Sequence, residues 1–597
     1  MAGNSSRFLR RMHRLAAFGA ALFLAGCAAA PERPSAPEAA SGFRSGVEAN
    51  TARRHMAAAA NPLAAEAGRE VLRAGGSAVD AAIAMQLVLT LVEPQSSGIG
   101  GGAFLLHFDG RLVQAYDGRE TAPAGVDENL FMVDGKPMAF HEAAVGGRSV
   151  GVPGVLRMLE LAHGRHGRLP WARLFEPAIR LAENGFAVSP RLHTLLGVEK
   201  YLARDPTARD YFYAADGAPK PVGTVLRNPE LVATLRAIAA GGADAFYRGP
   251  IAADIVGAVQ SHPNRGRLAE SDLAGYQAKE RPPVCTDYKR WRICGMSPPS
   301  SGGVAVAQIL GMLERRNIAV VPPQDDRGRP EPQADAVHLF SETGRLAFAD
   351  RDVYIADPDF IPVDWQALTN PRYLADRAAL IGPRSMGRAA PGVPAGYLLS
   401  WAADEARREA TSHVSAVDGF GNAVAMTTSI EDQFGARLMR RGFLLNNQLT
   451  DFSFAPSVGD RPIANRVQPG KRPRSSMAPT LVFDRASGEL LASLGSPGGS
   501  QIINYVARTL VALLDWDLDI QQAIALANFG SRNGPTELEQ GRFGPAMAEA
   551  LRARGHEVRE IPMTSGLQGI VRVPLRDGGQ GWSGGADPRR EGVALGD

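Results

Sequence analysis

The feature that most restricts this chain is an edge. A charged run from Asp404 to Glu409 stops at Ala410, and a strand pattern begins at once with Thr411-Ser412-His413. Val414, Ala416, Ala423 and Ala425 are small apolar positions of two short strands, and Asp418, Gly419, Gly421 and Asn422 form the turn between them. A buried strand that opens with a hydroxyl residue is what an autoprocessing N-terminal nucleophile needs. If the bond between Ala410 and Thr411 is cut, Thr411 gains a free α-amino group beside its own hydroxyl, and that amine can act as general base. Its unperturbed pKa of roughly 7.7–8.0 suits work near neutral pH. On this stretch alone the ordinary reading, a Thr that merely opens a strand, is the stronger one.

Length and composition set bounds. The 597 residues are 45% hydrophobic and 21% charged, values of a soluble globular protein with ample core. Net charge is +3 with the two signs interspersed, and no basic stripe is interleaved with aromatics, so nucleic acid is not an expected partner. Arg7, Arg10, Arg11 and Arg14 precede a short apolar stretch at 15–24, too short to span a bilayer and suited to a secretory signal. It ends in Leu24-Ala25-Gly26-Cys27, which resembles the bacterial lipobox. We therefore expect a signal peptide at 1–26, lipidation of Cys27, and a chain anchored on the periplasmic side by lipid only. Ala28 favours the outer membrane. A plain cleaved signal is the alternative. Residues 27–45, rich in Ala, Pro, Ser and Glu, read as a flexible tether. Cys285 and Cys294 flank a hairpin with its turn at Lys289-Arg290. In an exported protein that points to a disulfide rather than two separate thiols, and the spacing is not that of zinc.

Along the chain, Asn61-Pro62 starts a helix to about Arg73, and Ser77-Ala78-Val79-Asp80 is a capping box for a second helix through about Val92. That second helix is nearly all apolar and should be central and buried. The glycines at 98–102 lack a following Lys-Ser/Thr, so they read as a close-packed turn into a strand at 103–108 rather than a phosphate loop. A strand at 112–116 leads to Arg119. Helices are expected from about 150, at 170–181, at 300–313, at 500–514, at 520–527 and at 545–554. Strands are expected at 480–483 and 490–494. His338 and Glu342 stand four apart on a helix, a spacing that can suit metal. No third ligand accompanies them in the sequence, so a structural pair and no metal are expected. No cofactor is expected. Residues 386–409, Pro/Gly-rich and then charged, read as an exposed segment released from the site once cut.

Several long motifs stand in one order. Thr411-Ser412-His413 is followed by Gly421-Asn422-Ala423-Val424, then by the run from Gly442 through Asn446-Asn447-Gln448-Leu449-Thr450-Asp451-Phe452. Lys471-Arg472-Pro473-Arg474-Ser475-Ser476-Met477 and Gly495-Ser496-Pro497-Gly498-Gly499 come next. These, with the Asp117-Gly118-Arg119-Glu120-Thr121-Ala122-Pro123 block, resemble the γ-glutamyltransferase (γ-glutamyltranspeptidase) family from about Ala57 to the last sixty or so residues. The resemblance implies an α/β fold, the four-layer αββα sandwich of N-terminal-nucleophile hydrolases. It implies a large chain at 46–410 and a small catalytic chain at 411–597 that stay associated as a heterodimer.

The resemblance also assigns roles. Thr411 is the nucleophile in self-cleavage and turnover. Gly498 and Gly499 supply the oxyanion hole, and Ser429, where the family commonly has Thr, orients Thr411. Arg119, Ser475 and Ser476 hold the substrate α-carboxylate, and Asp451 with Gln448 holds the α-ammonium. Glu431 stands where the family often has Asn and makes the ammonium pocket more acidic. Residues 453–469, where the family can carry a lid, look short and predict an open cleft. The implied partners are glutathione and other γ-glutamyl compounds, with water, amino acids or dipeptides as acceptors. Two alternatives are a glutaryl-amide or cephalosporin acylase on the same scaffold and a non-catalytic peptide-binding lipoprotein. Asp451 argues against the first, on the ground that a buried carboxylate lacking a cation is costly. The intact Thr411, Ser429, Ser475, Ser476 and Gly498-Gly499 argue against the second.

Overall fold

The computed structural model describes residues 42–316, 318, 331–396, 401–404 and 411–597. The signal region, Cys27, most of the tether and the last residues before Thr411 lie outside the described residues. No described helix is long and apolar enough to cross a membrane.

Two antiparallel seven-stranded sheets form the centre. One runs, in spatial order, Val593–Gly596, Met56–Ala59, Ser412–Val417, Ala423–Ser429, Gly102–Phe108, Val113–Gly118 and Lys279–Arg281. The other runs Asn50–Ala52, Gln580–Ala586, Gln568–Pro574, Leu490–Gly495, Thr480–Asp484, Trp291–Gly295 and Val284–Tyr288. Both sheets contain strands from before and from after Thr411. The period of two sorts their side chains. Val414, Ala416, Val424 and Met426 join the core under the outer helices, while Val417, Ala423 and Ala425 join the core between the sheets.

Helices close both outer faces. Pro62–Arg73, Ala78–Val92 and Val155–His166 cover the first sheet, and Gly302–Glu314, Ile502–Leu514 and Ile520–Ala525 cover the second. The result is four layers in the order helix, sheet, sheet, helix, as the resemblance implied. Local chemistry sets the helix starts. Asn61 caps the first helix by accepting from the Leu63 N–H at 3.0 Å. Ser77 and Asp80 exchange side chain-to-backbone bonds of 3.1 and 2.9 Å, and every residue of Ala78–Val92 is buried. Asp418 in the hairpin turn accepts from the Ala78 N–H at 3.0 Å, tying the hairpin to that helix.

The expected hairpin at Val284–Tyr288 and Trp291–Gly295 places Cys285 opposite Cys294, and the two are joined as a disulfide. The glycine block behaves as a close-packed turn. A Cβ on Gly101 would lie 2.1 Å from the Ser429 carbonyl and one on Gly100 2.2 Å from that of Leu444. Only glycine lets this turn rest on the end of the Ser429 strand.

Candidate active site

Thr411 immediately precedes the strand Ser412–Val417 in the middle of its sheet and is buried. Pairing of Ser412 with Thr428, extended by one residue, sets Thr411 opposite Ser429. The Ser429 hydroxyl accepts from the Glu431 N–H at 2.8 Å, which turns the chain at the strand end, where Glu431 takes a φ of 79°. From the C-terminal loop, the buried Arg590 donates to the Thr411 carbonyl at 3.4 Å and to the Ser565 carbonyl at 3.2 Å. His413, two residues along, is sealed between the sheets. Its ring contacts the hydroxyls of Thr427 at 2.9 Å and Ser415 at 3.1 Å, and burial lowers its pKa to about 3, so it stays neutral. It supports the nucleophile strand and does not face the pocket.

Thr411 opens into a pocket with about 40 Å³ of free volume. Ser429, Glu431, Gln448, Asp451, Arg119, Ser475, Ser476 and Gly499 line it with Thr411, so nearly all the residues expected at the site meet in one place. Gly498 is not in the lining but adjoins it, with a φ of 127°. A Cβ there would lie 2.6 Å from the Tyr505 ring. The two glycines lead through a single 3-10 turn into Ile502–Leu514, which brings the start of that helix and Gly499 to the pocket beside Thr411.

The charged wall differs from expectation in one respect. Arg119 donates to Asp451 at 2.5 Å, and to the carbonyls of Pro473 at 3.1 Å and Arg474 at 2.9 Å. Gln448 donates to the same Asp451 oxygen at 2.7 Å. Asp451 therefore has a cation inside the protein, and the argument that only a substrate ammonium accounts for it does not hold. Sequence could not show this, because the two residues are 332 apart in the chain. Glu120 lies beneath Arg119 at 3.8 Å, fully buried, with neither carboxyl oxygen hydrogen-bonded, and burial pushes its pKa up to about 8. On the far side, the Ser475 hydroxyl accepts from the Met477 N–H at 3.1 Å, and its carbonyl receives the Ser301 N–H and hydroxyl at 2.8 and 2.7 Å.

Two further expectations change. The site is not an open cleft: Thr411, Ser429, Glu431, Gln448, Arg119 and Ser475 are all buried, and of the charged pair only the Asp451 side chain keeps 23% exposure. The short 453–469 stretch folds back on itself and is held by Lys471, whose side-chain nitrogen donates to the carbonyls of Ala464 and Arg466 and to Gln468 at 2.6, 3.2 and 2.9 Å. Nor is the stretch ahead of Thr411 simply exposed: Ala402 and Asp404 are buried, against Ile463 and Asn465 of this stretch.

The family model described as gamma-glutamyltranspeptidase matches residues 64–597. The chain belongs to that family. The glutathione hydrolase proenzyme of Escherichia coli (strain K12) is 34% identical over 574 residues, covering 93% of this chain and 94% of that protein. The corresponding proenzyme of Bacillus subtilis (strain 168) is 33% identical over 554 residues, covering 91% of each. Among solved structures, a cephalosporin acylase from Bacillus halodurans matches with a TM-score of 0.80 at 26% identity, covering 95% of this chain and 99% of that one. Membership of the γ-glutamyltranspeptidase family makes this chain an autoprocessed transferase with the N-terminal-nucleophile fold.

Within this γ-glutamyltranspeptidase, sequence reading missed two pocket cations. Arg351, on Ala334–Tyr354, donates to the hydroxyls of Ser476 at 2.8 Å and Ser301 at 3.0 Å and to Asp352 at 2.7 Å. It holds Ser476 from behind. Arg474 lines the pocket beside it. The run Ala347-Phe348-Ala349-Asp350-Arg351 was the signal available in the sequence for Arg351.

His338 and Glu342 gain a third neighbour that sequence did not supply, His556. The hydrogen bonds nevertheless use both imidazole lone pairs. His338 Nε2 faces the Gly382 carbonyl at 2.8 Å and must donate, so its Nδ1 accepts from His556 Nε2 at 2.7 Å. His556 Nδ1 then accepts from Thr536 at 2.7 Å, and Thr536 accepts from Arg345 at 2.9 Å. Glu342 accepts from Arg345, Ser385 and the Met386 N–H at 2.9, 3.0 and 2.9 Å. In this arrangement both imidazole lone pairs are used by hydrogen bonds within the network.

Proposed function

We propose that the chain cuts itself between Ala410 and Thr411 and then transfers the γ-glutamyl group of glutathione and related amides, through a Thr411 ester, to water or to an amino-acid or dipeptide amine. The observation that carries this reading is the convergence of Thr411 with Arg119, Asp451, Gln448, Ser475, Ser476 and Gly499 in one enclosed pocket.

The freed α-amine takes the Thr411 hydroxyl proton as Oγ attacks the γ-carbonyl. The oxyanion forms against backbone N–H groups at Gly498-Gly499, where losing one donor typically costs about 3–4 kcal/mol. Collapse expels cysteinylglycine, whose nitrogen takes that proton from the amine, and leaves an ester on Thr411. Water or an acceptor amine then repeats the sequence in reverse roles. The substrate α-carboxylate draws on Arg119, Ser475 and Ser476, and its ammonium on Asp451, Gln448 and Glu431. Substrate binding thus exchanges the internal Arg119–Asp451 pair for two pairs to the substrate, so neither charge is left bare in the bound state. Acceptor-only oxygens of Asp451 and Glu431 in an acyl pocket favour an ammonium-bearing acyl group over a glutaryl one, despite the likeness to a cephalosporin acylase.

After cleavage the chains stay together because both sheets are built from strands of each. The lipobox supports a periplasmic, lipid-anchored enzyme, with Cys27 as the anchor. A denaturing gel of purified protein with N-terminal sequencing of the smaller band tests the cut; an active, uncut chain overturns it. Cys27→Ser tests the anchor and should release the protein from the membrane fraction. If the wild type is already soluble with an N-terminus beyond Cys27, the anchor is wrong. Turnover of γ-glutamyl against glutaryl anilides tests the substrate, and a preference for glutaryl compounds favours the acylase.

A further inference from the structure

Residues 401–404, the described stretch nearest to Thr411 on its N-terminal side, are fastened beside the pocket at every residue but one. The Trp401 carbonyl accepts from Arg461. Ala402 donates to the Pro462 carbonyl at 2.9 Å and bridges to Ile463. Asp404 makes the tightest set. Its N–H donates to the Asp352 carbonyl at 2.9 Å, and its carboxylate accepts from Arg474 at 2.8 Å and from Asn465 at 3.0 Å. Arg474 also donates to the Asp404 carbonyl at 3.2 Å. Asp404, Arg474 and Asn465 are all buried.

Two of these partners reach the substrate pocket. Asn465 donates to the Asp451 carbonyl at 2.8 Å and accepts from the Arg474 N–H at 2.9 Å. Arg474 lines the pocket and leads directly into Ser475 and Ser476. One buried amide therefore reads the large-chain tail, the ammonium side and the carboxylate side together.

We propose that Asp404 is a positioning residue for self-cleavage: its latch to Arg474 and Asn465 fixes where the chain enters the site and ties the cut to an assembled pocket. The proposal rests on the cut ahead of Thr411 set out above. In that step Thr411 Oγ attacks the carbonyl carbon of residue 410. A C–O ester bond forms, the C–N bond breaks, and the Thr411 nitrogen keeps the hydroxyl proton. Water then hydrolyses the ester to a carboxylate on residue 410 and the free Thr411 hydroxyl. The reacting carbonyl must be presented to Oγ at near-contact distance, which is an orientational demand. Thr411 is held by its strand and by Arg590. The latch fixes the other side, seven residues away, a span of at most ~25 Å even when extended. Fixing both ends removes most of the chain conformations that place the carbonyl elsewhere.

The test is a time course of self-cleavage of the full chain made by cell-free synthesis, followed on denaturing gels, with kcat and KM measured on the cleaved fraction and thermal melts of each protein. The wild type must first yield two chains with Thr411 at the new N-terminus; if it stays whole, the cut itself is refuted, which is a different failure. Given that cut, Asp404→Ala should slow cleavage about tenfold or more, on the scale of lost orientation. Its cleaved fraction should keep kcat and KM within about twofold, small against that orientational loss. Asp404→Asn, which keeps shape and loses charge, should slow cleavage by less, and Asp404→Glu should restore part of the rate. Wild-type cleavage rates in Asp404→Ala overturn the proposal. So does a parallel fall in cleavage, turnover and melting temperature across Asp404→Ala and Asp404→Asn, which is the mark of a merely structural contact.

Discussion

Two buried polar regions of this molecule look alike in composition and differ in closure. The network of His338, Glu342, Arg345, Thr536 and His556 turns on itself: each donor finds an acceptor, and the same chain of bonds fixes both imidazole tautomers. The catalytic pocket leaves ends unjoined. Gln448 uses its NH2 group while its carbonyl oxygen finds no partner, and behind the pocket, beneath Arg119, Glu120 has no hydrogen bond on either carboxyl oxygen. Asp451 keeps contact with solvent although Arg119 is sealed. A polar group left short of partners inside a protein is costly. At Gln448, which lines the pocket, a substrate can fill part of that deficit. The histidine network has no such vacancy and belongs to stability.

The comparison breaks first at Thr411. Thr411→Ala should leave one uncut chain with no measurable γ-glutamyl turnover and an unchanged histidine network, read by gel and by anilide release; residual activity in a whole chain contradicts the pocket's assignment.

Next come the charges. Arg119→Ala should lower kcat/KM on γ-glutamyl and glutaryl anilides alike by two to three powers of ten, because breaking a buried pair costs on the order of 3–5 kcal/mol. Asp451→Asn should cost a similar factor on γ-glutamyl substrates only. On glutaryl substrates it should be neutral or favourable, since it frees Arg119 for the carboxylate. Equal losses on both would show that Asp451 serves Arg119 and never meets an ammonium.

Smaller effects should follow in the closed network. His556→Gln should leave kcat and KM near wild type and lower stability by about 1–3 kcal/mol, the penalty of an unsatisfied buried partner, seen as a lower Tm. Burial, then Arg345 and His338, lowers the His556 pKa from 6.5 to about 3. The folded state thus refuses a proton that the unfolded state accepts. Its stability contribution is full above pH 6.5 and lost as pH falls toward 3, so the variant should show a shallower acid-side fall in Tm. Loss of turnover on treating wild type with a chelator would reopen a metal role for this cluster.

The smallest change is expected at Glu120. Its pKa, raised by burial from 4.5 to about 8, has the opposite sign: stability is full below pH 4.5 and declines as pH rises through 8, where the folded carboxyl must ionise. Glu120→Gln should flatten that decline in Tm between pH 4.5 and 8. An unchanged slope would mean that Arg119 already holds the carboxylate charged.

What the sequence by itself determined is what neighbours along the chain decide. The caps at Asn61 and Ser77, the wholly buried Ala78–Val92, the two-strand turn at Asp418, the hairpin that faces Cys285 with Cys294, and the Thr411 edge were all legible, because cap, period and turn are set within a few residues. Long motifs in one order added the family and with it the residues of the pocket. Tertiary structure alone decided which charge meets which. Arg119 pairs with Asp451 across 332 residues, Arg351 holds Ser476 across 125, His338 meets His556 across 218, and Asp404 locks onto Arg474 across 70. A sequence states that a side chain is charged. Whether that charge is spent inside the protein or left for a substrate depends on distance and burial, and those exist only once the layers have closed.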